Sequence, residues 1–109
     1  MIFHFCPADV WAAAQPSGEY AADTLATEGF IHCSTAAQVH QSANAYAPGR
    51  TDLVLLEIDE ARLPQPVRWE PGSDGVFPHV YEPIPTHAVI AVHEFQPGPD
   101  GTFAPLATG

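Results

Sequence analysis

The chain contains no lysine and few cationic side chains of any kind. Its three arginines, Arg50, Arg62 and Arg68, stand against thirteen Asp and Glu residues, and the formal net charge is −10 with neutral histidines. A protein that grips nucleic-acid phosphates needs several cationic contacts, so this composition argues against general nucleic-acid binding and disfavours anionic membranes. One arginine or a helix N-terminus could still hold a small anion. We therefore expect a small-molecule ligand.

Cysteines and long apolar runs are also scarce. Cys6 and Cys33 are too few to make a disulfide framework in a chain of 109 residues. No apolar run approaches the roughly 18 residues of a membrane span, and the N-terminus lacks the basic and apolar regions of a signal peptide. These absences predict a soluble cytoplasmic protein with free thiols. The length predicts one domain over residues 1–109, with a tail that frays after about residue 105.

Twelve prolines and eight glycines predict many turns and short elements. The predicted elements are, in chain order, a strand over 1–5, a helix over 7–14, a strand over 30–33, a helix over 35–47, and strands over 52–59, 67–70, 76–81 and 87–95. Residues 20–27 are ambiguous, and Glu28 with Gly29 predicts a turn. This order indicates an α+β domain with two helices in the N-terminal half.

Two of these elements carry more specific signals. Thr35 and Gln38 form a T-x-x-Q capping box, in which each side chain would satisfy a backbone N–H of the first helical turn. The predicted buried stripe of that helix is Ala36, Val39, Ala43 and Tyr46. The continuous apolar run over 53–56 predicts a central strand that is covered on both faces.

Three histidines lie inside strand-like apolar stretches instead of on polar loops. His4 lies within 2–6, His32 within 30–34 and His79 within 77–81. Imidazole is mostly an exposed or intermediate group, so bulky apolar neighbours at all three positions require a reason. Either the three rings are hydrogen-bonded core histidines, or they converge on a polar cleft in a β-rich protein. The other three histidines we interpret as structural.

Side-chain direction within the strands supports the cleft interpretation. His4 shares a strand face with Cys6, and His32 shares one with Ser34. If the two strands are neighbours, His4, His32 and Ser34 can line one concavity, beside a helix start whose free N–H groups attract anions. Such a place suits a phosphate or a carboxylate. Equally, Ser34 or Thr35 could do no more than cap the helix.

Prolines bracket the segment 77–83, and proline within a sheet is tolerated at edges, bulges or strand starts. We therefore predict an edge strand that lines a cleft. His79 and Tyr81 share one face and could receive a planar ring, whereas Glu82 belongs to the opposite face. Trp69, just upstream, could form a wall of the same site. Tyr81 and Trp69 could alternatively be core side chains.

Two other kinds of site fit the residues less well. The chain has no C-x-x-C, no H-E-x-x-H and no paired spacing of a structural zinc module, so no metal is expected. Cys33 and His32 are adjacent and must point to opposite strand faces, whereas Cys6 and His32 could form a nucleophilic dyad across strands. Two small buried thiols without chemical function are the alternative.

The residues resemble those of a small bacterial and plant family, domain of unknown function 952. The resemblance covers nearly the whole chain and is carried chiefly by E-G-F-I-H-C-S at 28–34 and F-P-H-V-Y at 77–81. Other matching segments are I-F-H at 2–4, G-E-Y at 18–20, D-L-V-L-L at 52–56, W-E at 69–70 and P-D-G at 99–101.

That family looks like a compact relative of the ADP-ribosyltransferase fold, closest to the RNA 2′-phosphotransferases. The resemblance implies a compact split β-sheet and a cleft for NAD or a related nucleotide. His4 and His32 would orient the ribose, and Ser34 would hydrogen-bond to it. The catalytic residues implied by the resemblance are His4, His32 and His79. The candidate ligand-binding residues are Ser34, which the resemblance implies, and Tyr81, Trp69 and Glu82, which come from the predicted edge strand and its neighbours.

The chain also departs from those transferases. It lacks the arginines that hold an RNA phosphate, the additional N-terminal domain and a basic surface, and no motif places Glu82 as a catalytic carboxylate. The leading hypothesis is an NAD-dependent enzyme of the ADP-ribosyl- or phosphotransferase type. One alternative is a non-catalytic module that binds a small metabolite or peptide in the same cleft. Another is a purely structural protein with core histidines.

Overall fold

Short strands and short helices alternate up to Tyr46, and strands dominate after it. The structure, a computed structural model, describes residues 1–72 and 75–106. Its strands are β1 (Ile2–Pro7), β2 (Glu19–Tyr20), β3 (Ile31–His32), β4 (Leu53–Ile58), β5 (Arg68–Gly72), β6 (Gly75–Val80), β7 (Ile84–Pro85) and β8 (Val89–Phe95). Its α-helices are α1 (Ala8–Ala14), α2 (Asp23–Thr27) and α3 (Val39–Tyr46), and Glu60–Arg62 and Thr86–Ala88 are 3₁₀ turns.

Strand β4 lies in the middle of a three-stranded antiparallel sheet, between β1 and β8. Its side chains alternate between two cores. Leu53 and Leu55 pack on one side with α3, while Leu56 and Ile58 pack on the other side with β3, β6 and β7. Each of these side chains stabilises the fold by about 1.5–3 kcal/mol through burial. The prediction of a central strand covered on both faces is confirmed.

A second antiparallel sheet, of order β3-β6-β5, meets the first at one backbone bridge. Phe3 N–H donates to the Ser34 carbonyl, and Ser34 N–H donates to the Phe3 carbonyl, each at 2.8 Å. Strands β2 and β7 form a separate two-stranded ribbon. Because of the bridge, the strands that carry His4 and His32 are neighbours in space.

Strand β6 contains the proline-bracketed motif, and the prediction that it is an edge strand is wrong. It pairs with β5 from Gly75 to His79 and with β3 on its other side. Pro78 is tolerated because the N–H and C=O of one strand residue point toward the same neighbour. Toward β3, the Pro78 carbonyl accepts from Cys33 N–H at 3.1 Å, just where that two-residue strand ends.

The described residues contain three α-helices, one more than predicted, and all lie in the N-terminal half. The additional helix, α2, falls in the ambiguous segment 20–27, because five helical residues are too few for a clear 3.6-residue period. Its last turn is followed by Gly29, whose φ of +90° is a conformation that glycine adopts without steric cost. The turn predicted at Glu28 and Gly29 is thereby confirmed.

Only half of the predicted capping box forms at the start of α3. The Gln38 side chain accepts from Thr35 N–H at 3.1 Å, but residues 36–38 form a turn and the helix begins at Val39. The amide nitrogen of Gln38 donates to the Val76 carbonyl at 2.9 Å. Gln38 therefore ties the start of the helix to β6 as well as closing the turn.

The predicted buried stripe holds in full only at Val39 and Ala43, which are both buried. Ala36 lies in the turn before α3 and is only partly buried, and Tyr46 is 78% exposed. Tyr46 is the final residue of the helix, and it borders an open cleft where the period would have placed it against a core. Amphipathic spacing predicts which side a residue faces but not how far the covering layer extends.

The observed architecture is α+β, as predicted, and its sheets are mostly antiparallel. No helix in the described part of the chain is long and apolar enough to cross a membrane. Ser73 and Asp74, between the predicted strands over 67–70 and 76–81, lie outside the described residues. The predicted fraying of the C-terminal tail also falls partly outside them, at residues 107–109.

Two substitutions in α3 test this packing. Tyr46→Ser is expected to change the free energy of unfolding by less than about 0.5 kcal/mol, because the side chain is exposed. Val39→Ala should cost roughly 1.5–3 kcal/mol through lost burial and a residual cavity. Urea unfolding of the two variants and the parent chain measures both values. A larger cost at Tyr46 than at Val39 would contradict the described packing of α3.

Candidate functional site

A cleft of about 600 Å³ opens where the two sheets meet. Its walls come from β1, from β2 and α2, from the segment 28–34, from one side of α3 and from the β5–β6 hairpin. A volume of this size is typical of small-molecule sites. The polar side chains that line it are those of His4, Tyr20, Asp23, Thr24, Glu28, His32, Ser34, Gln41, Ser42 and His79.

His4 is buried at the edge of this cleft, and both of its ring nitrogens are hydrogen-bonded within the protein. Nδ1 lies 2.6 Å from the His32 carbonyl oxygen, and Nε2 lies 2.7 Å from the Tyr20 hydroxyl. A carbonyl oxygen can only accept, so Nδ1 carries the proton and donates it. When the ring is neutral, Nε2 is bare and the Tyr20 hydroxyl donates to it. The contacts therefore define which tautomer the neutral ring adopts.

The protonation of His4 agrees with this hydrogen-bond pattern. Desolvation by burial lowers the pKa of His4 to about 4, although the hydrogen bond to the His32 backbone favours the charged form. Burial likewise raises the pKa of Tyr20, so its hydroxyl keeps the proton that it donates. With neither nitrogen free, His4 holds β3 and Tyr20 in position and has no ring atom left for proton transfer.

His79 shows the opposite arrangement. Its Nδ1 lies 2.9 Å from Glu70 Oε1, and Tyr81 donates its hydroxyl proton to the same oxygen at 2.5 Å. These two hydrogen bonds, with that of Tyr81 the larger influence, lower the pKa of Glu70, which keeps it a carboxylate. Nε2 of His79 has no hydrogen-bond partner among residues 1–72 and 75–106, and the side chain lines the cleft. Nε2 is therefore the ring atom available to a ligand.

His32 lies beside His79, and Phe30 joins the two rings. The His32 and His79 ring centroids are 5.5 Å apart and edge-on. Phe30 stacks on His79 at 4.2 Å and contacts His32 at 4.7 Å. His32 Nε2 is 3.2 Å from Glu28 Oε1 in an exposed pair. The structure therefore places two histidines and a phenylalanine on one wall of the cleft.

The hydroxyls in the cleft come from three elements. Ser34 Oγ lies 3.3 Å from Ser42 Oγ of α3. The predicted neighbouring helix N-terminus is absent there, since α3 begins only at Val39. Thr24 Oγ1 is shut off from solvent and has no hydrogen-bond partner within the described part of the chain. A buried hydroxyl without a partner is unusual and requires an explanation, such as a bound water or ligand atom.

Both cysteines are buried and free, which disfavours the dyad of Cys6 and His32. Burial raises the pKa of the Cys6 thiol to about 11 and that of the Cys33 thiol to about 12. A thiol is nucleophilic as the thiolate, and these values keep both groups protonated near neutral pH. Cys6 and Cys33 belong to the core that Ile31 and Leu56 also share.

Three predicted ligand-binding residues do not line the cleft. Adjacent strand residues point to opposite faces, so Trp69 is turned away from the side on which Glu70 meets His79, and it borders a separate surface depression. Glu82 follows β6 and accepts from the backbone N–H of Gln65 at 3.0 Å. Tyr81 reaches the site through Glu70 and through Phe30, whose ring centroid is 5.4 Å from its own.

Several residues of the cleft were not predicted. Tyr20 and Thr24 lie in the segment whose pattern was ambiguous, and Tyr46 was assigned to a core. Glu28 and Phe30 belong to the motif at 28–34. Their nearness to His32 in the sequence is the signal that could have identified them as cleft residues. The sequence could indicate Tyr20 only indirectly, through His4. A buried neutral histidine that donates from one ring nitrogen needs a hydrogen-bond donor for the other, and Tyr20 is that donor.

The described residues hold no group of three or more His, Cys, Asp or Glu side chains that could bind a metal ion. The histidines of the cleft instead use neighbouring protein groups as partners, namely a backbone carbonyl, a phenol and two carboxylates.

Comparison with known proteins gives a family and a fold. The model of one family, described as protein of unknown function (DUF952), matches residues 5–92. The chain is 28% identical to the protein CC0527 of Caulobacter crescentus, with a TM-score of 0.86 to its crystal structure over 94% of this chain and 92% of that chain. The solution NMR structure of CC0527 is also 28% identical in sequence, with a TM-score of 0.79 over 93% of this chain and 89% of that chain. No curated protein matches the chain.

The neutral state of His4 predicts a pH dependence of stability. Its folded pKa of about 4 lies below the ordinary histidine value of 6.5, so the unfolded chain takes up this proton first and stability falls as the pH drops from 6.5 toward 4. Between pH 7 and pH 5 the loss should be about 2 kcal/mol. Urea unfolding at the two pH values measures it.

The matched control is His4→Asn, which keeps a donor for the His32 carbonyl but cannot titrate. Carboxylate contributions are common to both proteins and cancel in the comparison. The variant should therefore lose less stability between pH 7 and pH 5 than the parent chain does. The same loss in both proteins would show that His4 is not a buried neutral ring.

Proposed function

Since the chain belongs to the family of proteins of unknown function DUF952, we propose its function from its own cleft. The cleft binds the nicotinamide–ribose end of NAD or a related nucleotide and serves a transferase of the ADP-ribosyltransferase type. The observation that carries this proposal is the free Nε2 of His79, which Glu70 orients beside Phe30 on the cleft wall. The meeting of two antiparallel sheets at the cleft is the feature that supports the fold likeness.

The residues of the cleft fit the ring and the ribose of such a nucleotide. Phe30, Phe77 and Tyr46 supply aromatic faces, and Ser34 and Ser42 supply hydroxyls for a sugar. No lysine or arginine lines the cleft within the described residues, so the protein offers the pyrophosphate no cationic partner there. We therefore propose that the ring end enters and that the phosphates stay on the solvent side.

His79 would act as the general base. NAD supplies a C1′ carbon whose bond to the nicotinamide nitrogen breaks, with the electron pair leaving on the nicotinamide, while the acceptor atom bonds to C1′. His79 Nε2 takes the proton of the acceptor, and its Nδ1–H stays bonded to Glu70. The Glu70 carboxylate stabilises the imidazolium that forms, and the Tyr81 hydroxyl keeps that carboxylate in place.

The other histidines have different roles in this proposal. His4 is a positioning residue, because its Nδ1–H holds the backbone of His32 while its Nε2 holds Tyr20. His32 and Glu28 are exposed at the cleft and within reach of a ligand that enters it. Because His4 is buried and has fixed partners, it shapes the site. Because His32 is exposed, it can contact the ligand.

Two observations favour a second function, a non-catalytic module that binds a small metabolite or peptide. His4 has no free nitrogen, and within the described residues the cleft offers no cation for a phosphate. A binding module needs shape and hydrogen-bond partners but no base, so it accounts for both features directly. The two functions differ in whether His79 affects turnover or affinity.

Replacing His79 with Gln tests the leading proposal. NAD, ADP-ribose and nicotinamide are first titrated against the parent chain, and a ligand at about 100 times its Kd should raise Tm by at least several degrees. Nicotinamide release from NAD, with water as the acceptor, is then followed by chromatography. His79→Gln should lower this rate by about 10²–10⁴-fold with binding largely retained, because a general base contributes that much. Glu70→Gln should give a smaller loss.

The matched control is His93→Gln. His93 also pairs with a glutamate, Glu57, at 2.9 Å, but it lies on β8 away from the cleft, so its loss should leave the rate unchanged. Ligand binding without any turnover, with His79→Gln altering affinity alone, would favour the binding module. If none of the three compounds binds, the NAD proposal is wrong.

A further inference from the structure

The charged side chains that line the cleft are all acidic or histidine. Asp23 and Glu28 are both exposed there, and no lysine or arginine lines the cleft among residues 1–72 and 75–106. Glu28 approaches His32, whereas no side-chain hydrogen bond within these residues engages the Asp23 carboxylate. The cleft therefore presents negative charge to whatever enters it.

None of the three arginines of the chain lines the cleft, and each has a partner outside its lining. Arg50 pairs with Asp52, and Arg62 approaches Asp59 and donates to the His87 carbonyl. The Arg68 guanidinium lies over the Tyr81 ring, 4.3 Å from its centroid. Since the chain has no lysine, no other side chain with a permanent positive charge exists to offset the carboxylates of the cleft.

Neither α2 nor α3 offers a free N-terminal end to an anion in the cleft. Helix α2, which borders the cleft, carries Asp23 in its first turn, so a carboxylate already occupies the end that would attract an anion. Helix α3 presents its later residues, Gln41 to Tyr46, to the cleft, and its N-terminal end lies outside the lining. An anionic group entering here would meet like charge without a compensating partner.

The remaining lining favours a ring without negative charge. Phe30, Phe77 and the exposed Tyr46 offer ring faces, which stack on planar groups and attract cations. Ser34 and Ser42 add neutral hydrogen-bonding hydroxyls at the same cleft. Carboxylates, aromatic faces and hydroxyls together suit a neutral or cationic heterocycle.

We infer that the cleft selects its ligand by charge, accepting a neutral or positively charged aromatic ring and rejecting the same ring when it bears a carboxylate or a phosphate. The inference rests on the proposed function, since it specifies the ligand class of that same site. It makes Asp23 and Glu28 the selectivity-determining residues. It also places the phosphorylated part of any nucleotide outside the cleft.

Three rings of nearly equal size test the inference: 1-methylnicotinamide, which is cationic, nicotinamide, which is neutral, and nicotinate, which is anionic. Their affinities for the full chain are measured by titration calorimetry or NMR at low salt, where charge effects are largest. The cation and the neutral ring should bind at least about tenfold more tightly than nicotinate. Raising the salt concentration should narrow the difference.

Isosteric variants identify the carboxylates responsible. Asp23→Asn and Glu28→Gln remove charge with little change of shape, and each should reduce the ratio between the cationic and anionic rings about threefold or more. Asp23→Asn is the cleaner variant, because Glu28→Gln also alters the partner of His32. Glu57→Gln, a surface carboxylate outside the cleft, is the control and should leave the ratio unchanged.

The outcomes separate this inference from the proposed function. Nicotinate binding as tightly as 1-methylnicotinamide would overturn charge selection and leave a ring site in place. Selection that survives Asp23→Asn and Glu28→Gln together would overturn the assignment to these carboxylates. If none of the three rings binds, both the inference and the ring site of the proposed function are wrong.

Discussion

The buried imidazole of His4 is the interaction on which the rest of the site depends. It connects three strands, because the ring belongs to β1, donates to the backbone of β3 and accepts from the tyrosine at the end of β2. Burial lowers the pKa of the ring, and the neutral ring satisfies both partners as one tautomer. Losing the ring would leave the His32 carbonyl and the Tyr20 hydroxyl unpaired, at a cost of about 1–3 kcal/mol for each buried group. With the Phe3–Ser34 bridge, it joins the two sheets where the cleft opens.

Two histidine–glutamate pairs of equal length show how environment decides function. The pairs His79–Glu70 and His93–Glu57 both measure 2.9 Å. His79 is largely buried against Phe30 and borders a cleft, whereas His93 is half exposed on an outer strand. An exposed pair contributes little beyond its surface charge. The buried ring, oriented by its carboxylate, instead presents one defined nitrogen to a concave surface.

Much of the fold followed from local pattern, and the misassignments have a common cause. The apolar run over 53–56 predicted the covered central strand, and the residues around His4, His32 and Ser34 predicted a shared cleft. Strand β6 was placed at an edge because Pro78 lacks a donor, yet β3 is so short that the missing N–H matters little. Tyr46 was placed in a core because helical period does not show where a covering layer ends. Both misassignments, of β6 and of Tyr46, arise because the local pattern does not show how far a neighbouring element extends.

The amino-acid sequence by itself determined the charge, the α+β class and the three histidines set in apolar strands, since these follow from composition and from periods of two and 3.6 residues. The tertiary structure alone decided that both ring nitrogens of the neutral His4 are hydrogen-bonded, and that Nε2 of His79 has no partner in the described part of the chain. It also decided that Trp69 and Glu82 lie away from the cleft. The physical reason is that hydrogen-bond partners and desolvation come from residues distant in the chain, and the local sequence pattern does not specify those residues.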